Sequence, residues 1–160
     1  MCKWVLPPGE AIKINTDGSY KASTNEAAIG LVCSDRLERF VGGMGSVVKA
    51  KSPLMAECMA VLRAKKSMAV REALLYRNKF IDKPIIIETD CESLYRHSGC
   101  EWESWDMLMQ VLGLLKSMKE LSFCLICGQS NKTADCLAAV ATGRMYQNLW
   151  LDCSPSFLGN

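Results

Sequence analysis

Four carboxylates, far apart in the chain, have surroundings that suit shared metal chemistry. Asp17 lies in Ile14-Asn15-Thr16-Asp17-Gly18-Ser19 and Glu57 ends Pro53-Leu54-Met55-Ala56-Glu57. Asp90 ends Ile85-Ile86-Ile87-Glu88-Thr89-Asp90, and Asp135 ends Asn131-Lys132-Thr133-Ala134-Asp135. Two follow apolar strand-like runs, and the other two stand near the starts of helix-like segments. Each acid alone has an ordinary reading as a turn residue, a cap or a favourable charge in a first helical turn. Acids at strand ends and helix starts can instead converge on one point of an α/β fold. Converging carboxylates repel one another unless a cation sits between them. Two hard divalent ions held by carboxylates can cut a phosphodiester.

The elements that must position these acids follow from apolar period and punctuation. Residues 12–20, 27–34 and 37–49 read as three strands, with a polar turn at Lys21-Ala22-Ser23-Thr24-Asn25 and glycines at 42, 43 and 45. Ser52-Pro53 is a helix start, with serine as cap and proline at the first helical position. Leu54, Cys58, Val61, Leu62, Ala69, Ala73 and Tyr76 give that helix its apolar stripe, and it is expected to end near Asn78. Residues 84–89 read as a buried strand, 91–97 as a short helix and 104–119 as an amphipathic helix. Residues 121–127 form a fifth strand, and Ser130 or Asn131 caps a last helix that is expected to run to about Trp150. Three strands joined by short turns make an antiparallel meander. The later strands follow helices and add in parallel by right-handed crossovers. The class is α/β, with a mixed sheet and helices on both faces.

A chain of 160 residues that is 49% apolar fits one domain with a real core. Its net charge of +2 gives no global signal for a polyanion, so such a partner would need a local patch. No apolar run is long enough to span a bilayer, and the start of the chain lacks a signal-peptide stretch. The expected setting is intracellular, in nucleus or cytoplasm, without membrane. Nine cysteines are odd in number and unpatterned, and they read as incidental thiols of a reducing compartment. Cys124 and Cys127 lie three apart in a strand-like run, facing opposite sides, which is poor zinc geometry. His97 is the only histidine, which argues against histidine-dependent nucleophilic catalysis, and His97 reads as a surface helix residue.

The order and surroundings of the four acids resemble the ribonuclease H family, and especially the plant ribonuclease H-like domain of non-LTR retroelement origin. Trp4-Val5-Leu6-Pro7-Pro8-Gly9 and Lys13-Ile14-Asn15-Thr16-Asp17-Gly18-Ser19 look like that domain's beginning. Ala28-Ile29-Gly30-Leu31-Val32 with Asp35, Gly42-Gly43, the Glu57 and Asp90 motifs, and Asn131 to Ala138 continue in family order. Pro155-Ser156-Phe157-Leu158 resembles its tail. The resemblance implies a ribonuclease H-like fold, with a five-stranded mixed sheet in the order 3-2-1-4-5 and strand 2 antiparallel. It spans residues 1–160 as one domain, with a lead-in over 1–11 and a tail over 151–160. It implies two Mg²⁺ ions, or Mn²⁺, held by Asp17, Glu57, Asp90 and Asp135 as catalytic residues. Asp17 would bridge the ions, and Asp135 would help hold the nucleophile-side ion. The implied activity is endonucleolytic hydrolysis of the RNA strand of an RNA–DNA hybrid. Gly18, Ser19 and Asn131 would contact the nucleic acid.

Two departures from the family stand out. Its plant members often carry His-x-x-Arg-x-x-Asn before Ala-Asp, whereas here Leu125 stands for the histidine and Gly128 for the arginine, with Asn131 kept. The expectation is slow turnover, with a non-catalytic module that binds nucleic acid or a protein partner as the alternative. Glu57 and Asp90 lie 33 residues apart, more than the family spends there. The extra stretch, Tyr76 to Lys83, either extends the preceding helix or bulges beside it. With Arg63, Lys65, Lys66 and Arg71 it forms the most basic region, which reads either as a phosphate-binding face or as a solvated one.

Overall fold

Alternation along the first strand sets the layers of the molecule. A computed structural model of the chain describes residues 9–37, 39–75, 84–97, 104–118, 121–144 and 149–151. In β1 (Ile12–Lys21), Ile12 and Ile14 enter the main apolar core, while successive residues turn to the opposite face. β1 pairs antiparallel with β2 (Glu26–Ser34), which pairs antiparallel with β3 (Phe40–Val48). β4 (Ile85–Thr89) adds parallel to the other side of β1, and β5 (Leu121–Leu125) adds parallel to β4. The expected five-strand order 3-2-1-4-5 is therefore observed. A sixth strand, β6 (Leu149–Leu151), extends it by pairing antiparallel with β3.

The long helix α1 (Pro53–Leu75) begins where expected. The Met55 N–H donates to Ser52 Oγ at 3.1 Å, so Ser52 caps the helix and Pro53 opens it. The short α2 (Glu92–Arg96) follows β4 and α3 (Trp105–Ser117) precedes β5, both close to their expected bounds. The last helix, α4 (Lys132–Arg144), is shorter than expected. Among the described residues it reaches Arg144, and Leu149 and Trp150, expected at its end, belong instead to a strand paired with the edge of β3. Three residues are too few to show a period, so that strand exists only because β3 offers unpaired backbone groups. No described helix is long and apolar enough to cross a membrane.

The two helices over the sheet approach it through glycines. A Cβ on Gly18 would collide with the backbone of Ala56 and Glu57 in α1. A Cβ on Gly30 would collide with the Ala134 carbonyl and lie 2.7 Å from the Ala138 nitrogen in α4. Gly18 pairs with Ile29 and Asp17 with Gly30, so α1 and α4 cover opposite faces. Ala134, Leu137, Ala138 and Ala141 form a fully buried stripe at helical spacing beneath α4, and small residues on both sides permit the close approach. Gly30→Ala is expected to force α4 outward and cost about 3 kcal/mol, since backbone atoms leave no side chain to yield. The measurement is the urea midpoint of the metal-free protein, and an unchanged midpoint would contradict this contact.

Candidate metal centre

Asp17, Glu57 and Asp90 meet although three different elements carry them. Asp17 lies in β1 just beyond its last register pair with β4, Asn15 with Glu88. Thr16 Oγ1 donates to the Glu88 carbonyl at 3.1 Å, which keeps the two strands together past that point. Asp90 follows the last residue of β4, where the Cys91 N–H bonds Thr89 Oγ1 and the Ile126 N–H bonds the Thr89 carbonyl. Glu57 lies in the second turn of α1, brought to the sheet by the close contact at Gly18. One carboxylate oxygen from each of the three lies within 4.8 Å of the others. They border an open cleft of about 460 Å³ also lined by Ser52, Ser104, Cys91 and Ser93. Across it Ser52 Oγ and Ser104 Oγ share a hydrogen bond of 2.7 Å, tying the start of α1 to that of α3.

The electrostatics of this group are unfavourable without a cation. Burial, then the charges of Asp90 and Asp135, pushes Asp17 up to about 7. Burial, then Asp17 and Asp90, pushes Glu57 up to about 9, although the Gly18 N–H donates to its carboxylate. Glu57 Oε2 is shielded from solvent and has no hydrogen-bond partner among the described residues. A buried acceptor of this kind is costly unless something positive meets it. Hard oxygen donors with one orphaned oxygen fit a divalent ion such as Mg²⁺ or Mn²⁺.

The remaining expected residues divide. Asp135 is exposed in the first turn of α4 and lies outside the three-carboxylate group, but its charge raises both Asp17 and Glu57. Gly18 supplies its N–H to Glu57, and half-buried Ser19 follows it in β1. Asn131, expected to contact the nucleic acid, is 1% exposed. Asn131 Nδ2 donates to the Thr16 carbonyl at 2.9 Å and to Asp90 Oδ1 at 3.0 Å. Lys65 and Lys66 are exposed on α1, roughly 12 Å along the helix from Glu57 at 1.5 Å per residue. Arg71 belongs to α1, but its side chain falls outside the described residues, as does the whole stretch from Tyr76 to Lys83. His97 is exposed and ends α2 with a φ of 54°. Leu125 ends β5 beside Thr89, and Gly128 opens a 3-10 turn so close to Asp90 that a Cβ there would lie 3.2 Å from Oδ2.

Lys13, Asn15 and Glu88 had no role assigned from the sequence, yet they are buried beside this group. The available signal was their type and parity. Lys13, Asn15 and Asp17 are polar residues at alternate positions of a strand that begins with Ile12 and has Ile14 between the first two of them, and Glu88 stands two before Asp90.

A sequence family described as reverse transcriptase-like matches residues 15–141. Among solved structures, RNase H1 from the halophilic archaeon Halobacterium salinarum NRC-1 aligns with a TM-score of 0.67 at 18% identity, over 84% of this chain and 98% of that one. LC11-RNase H1, isolated from compost by a metagenomic approach, aligns with a TM-score of 0.68 at 19% identity, over 86% and 99%. The same protein in complex with an RNA/DNA hybrid gives 0.65 at 20% identity, over 84% and 98%. At these identities the likeness is one of fold, a mixed sheet flanked by helices. No curated protein sequence matches the chain.

Proposed function

The chain belongs to the reverse transcriptase-like family, and from that premise we propose that it is a metal-dependent endoribonuclease acting on the RNA strand of RNA–DNA hybrids. The observation that carries this reading is the convergence of Asp17, Glu57 and Asp90 around an orphaned, buried Glu57 oxygen. Those three would hold two divalent ions, with Asp135 adding charge from the first turn of α4. When bound, such ions supply Lewis-acid activation of a water and of the scissile phosphate, leaving 3′-hydroxyl and 5′-phosphate ends. The chain's own part is to gather the acids, keep Glu57 shielded, and hold the cleft open between the starts of α1 and α3. Selectivity for RNA would come from contacts to 2′-hydroxyls across a minor groove, with Gly18 and Ser19, next to Asp17 in β1, among the contacting residues. Lys65, Lys66 and Arg71 would meet phosphates further along α1. That LC11-RNase H1 has been captured with an RNA/DNA hybrid supports the choice of substrate class. The run of motifs from Trp4 to Leu158 supports a retroelement origin of the plant type. The test is cleavage of an end-labelled hybrid with Mg²⁺ or Mn²⁺ beside Asp17→Asn. No cleavage with any divalent ion would favour a non-catalytic binding module on the same fold.

The loop before α4 would limit this activity. Leu125 and Gly128 offer no group to move a proton or help product leave, whereas general acid–base assistance is worth about 10²-fold or more. Leu125→His is expected to speed multiple-turnover cleavage, by less than the about 10²-fold that acid–base assistance gives, while leaving single-turnover cleavage unchanged. No gain in multiple turnover would show that position 125 does not limit product release.

A further inference from the structure

A continuous chain of buried polar side chains runs from the interior of the sheet to Asp90. Lys13, Asn15 and Asp17 of β1 share the face covered by α4, because Asp17 pairs with Gly30, whose Cβ direction meets α4. Glu88 lies opposite Asn15 across the β1–β4 ladder. Lys13 Nζ and Glu88 Oε1 form an ion pair of 2.9 Å, with side-chain exposures of 1% and 8%. Asn15 Nδ2 donates to Glu88 Oε2 at 3.0 Å and to Asn131 Oδ1 at 3.3 Å. Asn131 Nδ2 then donates to the Thr16 carbonyl and to Asp90 Oδ1. Carboxylates and a carbonyl only accept, so they dictate which way each amide faces, and each amide spends both of its N–H donors. Every link therefore depends on the one before it.

We propose that this chain is a positioning device for the metal centre: the Lys13–Glu88 ion pair orients Asn15, Asn15 orients Asn131, and Asn131 holds Asp90 Oδ1, which fixes the Asp90 carboxylate in its place beside Asp17 and Glu57. The inference rests on the metal-binding reading of Asp17, Glu57 and Asp90. The arrangement suits that purpose better than stability alone. A buried ion pair is weak as a source of stability, and an apolar pair of similar volume often replaces it without loss. Partners that orient a metal ligand, by contrast, typically contribute 10- to 100-fold to metal affinity.

Two double variants separate the roles. Lys13→Met/Glu88→Leu and Lys13→Met/Glu88→Gln both remove the buried charges together, so neither leaves one charge unpaired. Only the glutamine keeps an acceptor facing Asn15. The probe is Mn²⁺ binding to the full chain by calorimetry, with folding verified by circular dichroism and by unfolding in EDTA. The leucine variant and Asn131→Leu are expected to weaken Mn²⁺ binding about 10- to 100-fold. The glutamine variant should stay within about threefold of the parent, being a conservative rescue of the same link. A purely structural pair would treat leucine and glutamine alike, and that result would overturn the proposal. Should the leucine variant fail to fold, Asn15→Leu breaks the chain at its middle while keeping both charges of the ion pair, and parent-like Mn²⁺ affinity there would likewise overturn it. Asp90→Asn distinguishes the two levels. If it loses Mn²⁺ binding while the folded Asn15→Leu and Asn131→Leu do not, the metal centre stands and the positioning chain falls. If Asp90→Asn binds as the parent does, both fall.

Discussion

Asp17→Asn is expected to abolish hybrid cleavage and at the same time to stabilise the metal-free protein. Cleavage falls because the central carboxylate of the group loses its charge, and metal stabilisation of several kcal/mol corresponds to a rate loss of about 10³-fold or more. Stability rises because the native fold crowds Asp17 with Asp90 and Asp135 in a buried setting. Its pKa rises from 3.8 to about 7 on folding. Above that pH the parent keeps Asp17 ionised in an unfavourable site, while asparagine carries no such penalty. It also removes the largest charge acting on Glu57. The gain is expected to be about 3 kcal/mol at pH 9, or about 9 °C in the unfolding midpoint for a chain of this size, and to vanish near pH 4. The measurement pairs a cleavage assay with thermal melts in EDTA. An inactive variant that is also less stable at pH 9 would mean that Asp17 supports the fold through contacts other than the carboxylate cluster. A variant that cuts as fast as the parent would remove Asp17 from the metal centre altogether.

Metal-free stability should fall as pH rises, and a divalent ion should offset part of that fall. The direction follows from proton counts. Unfolded, Asp17 and Glu57 release their protons near 3.8 and 4.5; folded, they hold them to about 7 and about 9. Between pH 4 and pH 9 the native state therefore binds more protons than the unfolded one, so raising the pH favours unfolding. Below pH 4 both states are protonated and the penalty is absent; above pH 9 it is complete. Divalent ions bind only the deprotonated acids, so their affinity climbs through the same window. At a hundred times its dissociation constant an ion adds about 2.7 kcal/mol to stability. Melts with Mn²⁺ or EDTA should thus coincide at pH 5 and separate by about 8 °C at pH 9. Curves that differ by the same amount at pH 5 and pH 9 would show that Mn²⁺ binds elsewhere.

Local chemistry in the sequence already located most of what matters here. The Asp17, Glu57, Asp90 and Asp135 motifs were legible because each sits beside a recognisable strand end or helix start. Ser52-Pro53 announced α1 because capping depends on only a few neighbouring residues. Five strands and their order followed from period, connection length and family likeness. What the sequence could not decide is what depends on register and docking. β6 exists because β3 has a free edge, and α4 is shorter than its composition suggested for the same reason. Asn131 read as a cap of the last helix, and only the β1–β4 register brings Asn15, Thr16 and Asp90 within reach of its amide. Lys13 and Glu88 are 75 residues apart and meet only across that ladder. The high pKa values of Asp17 and Glu57 arise from burial under helices that glycines allow to come close. Residue type and spacing are local and can be read along the chain, whereas burial and charge proximity are sums over distant neighbours that exist only once the helices have docked on the sheet.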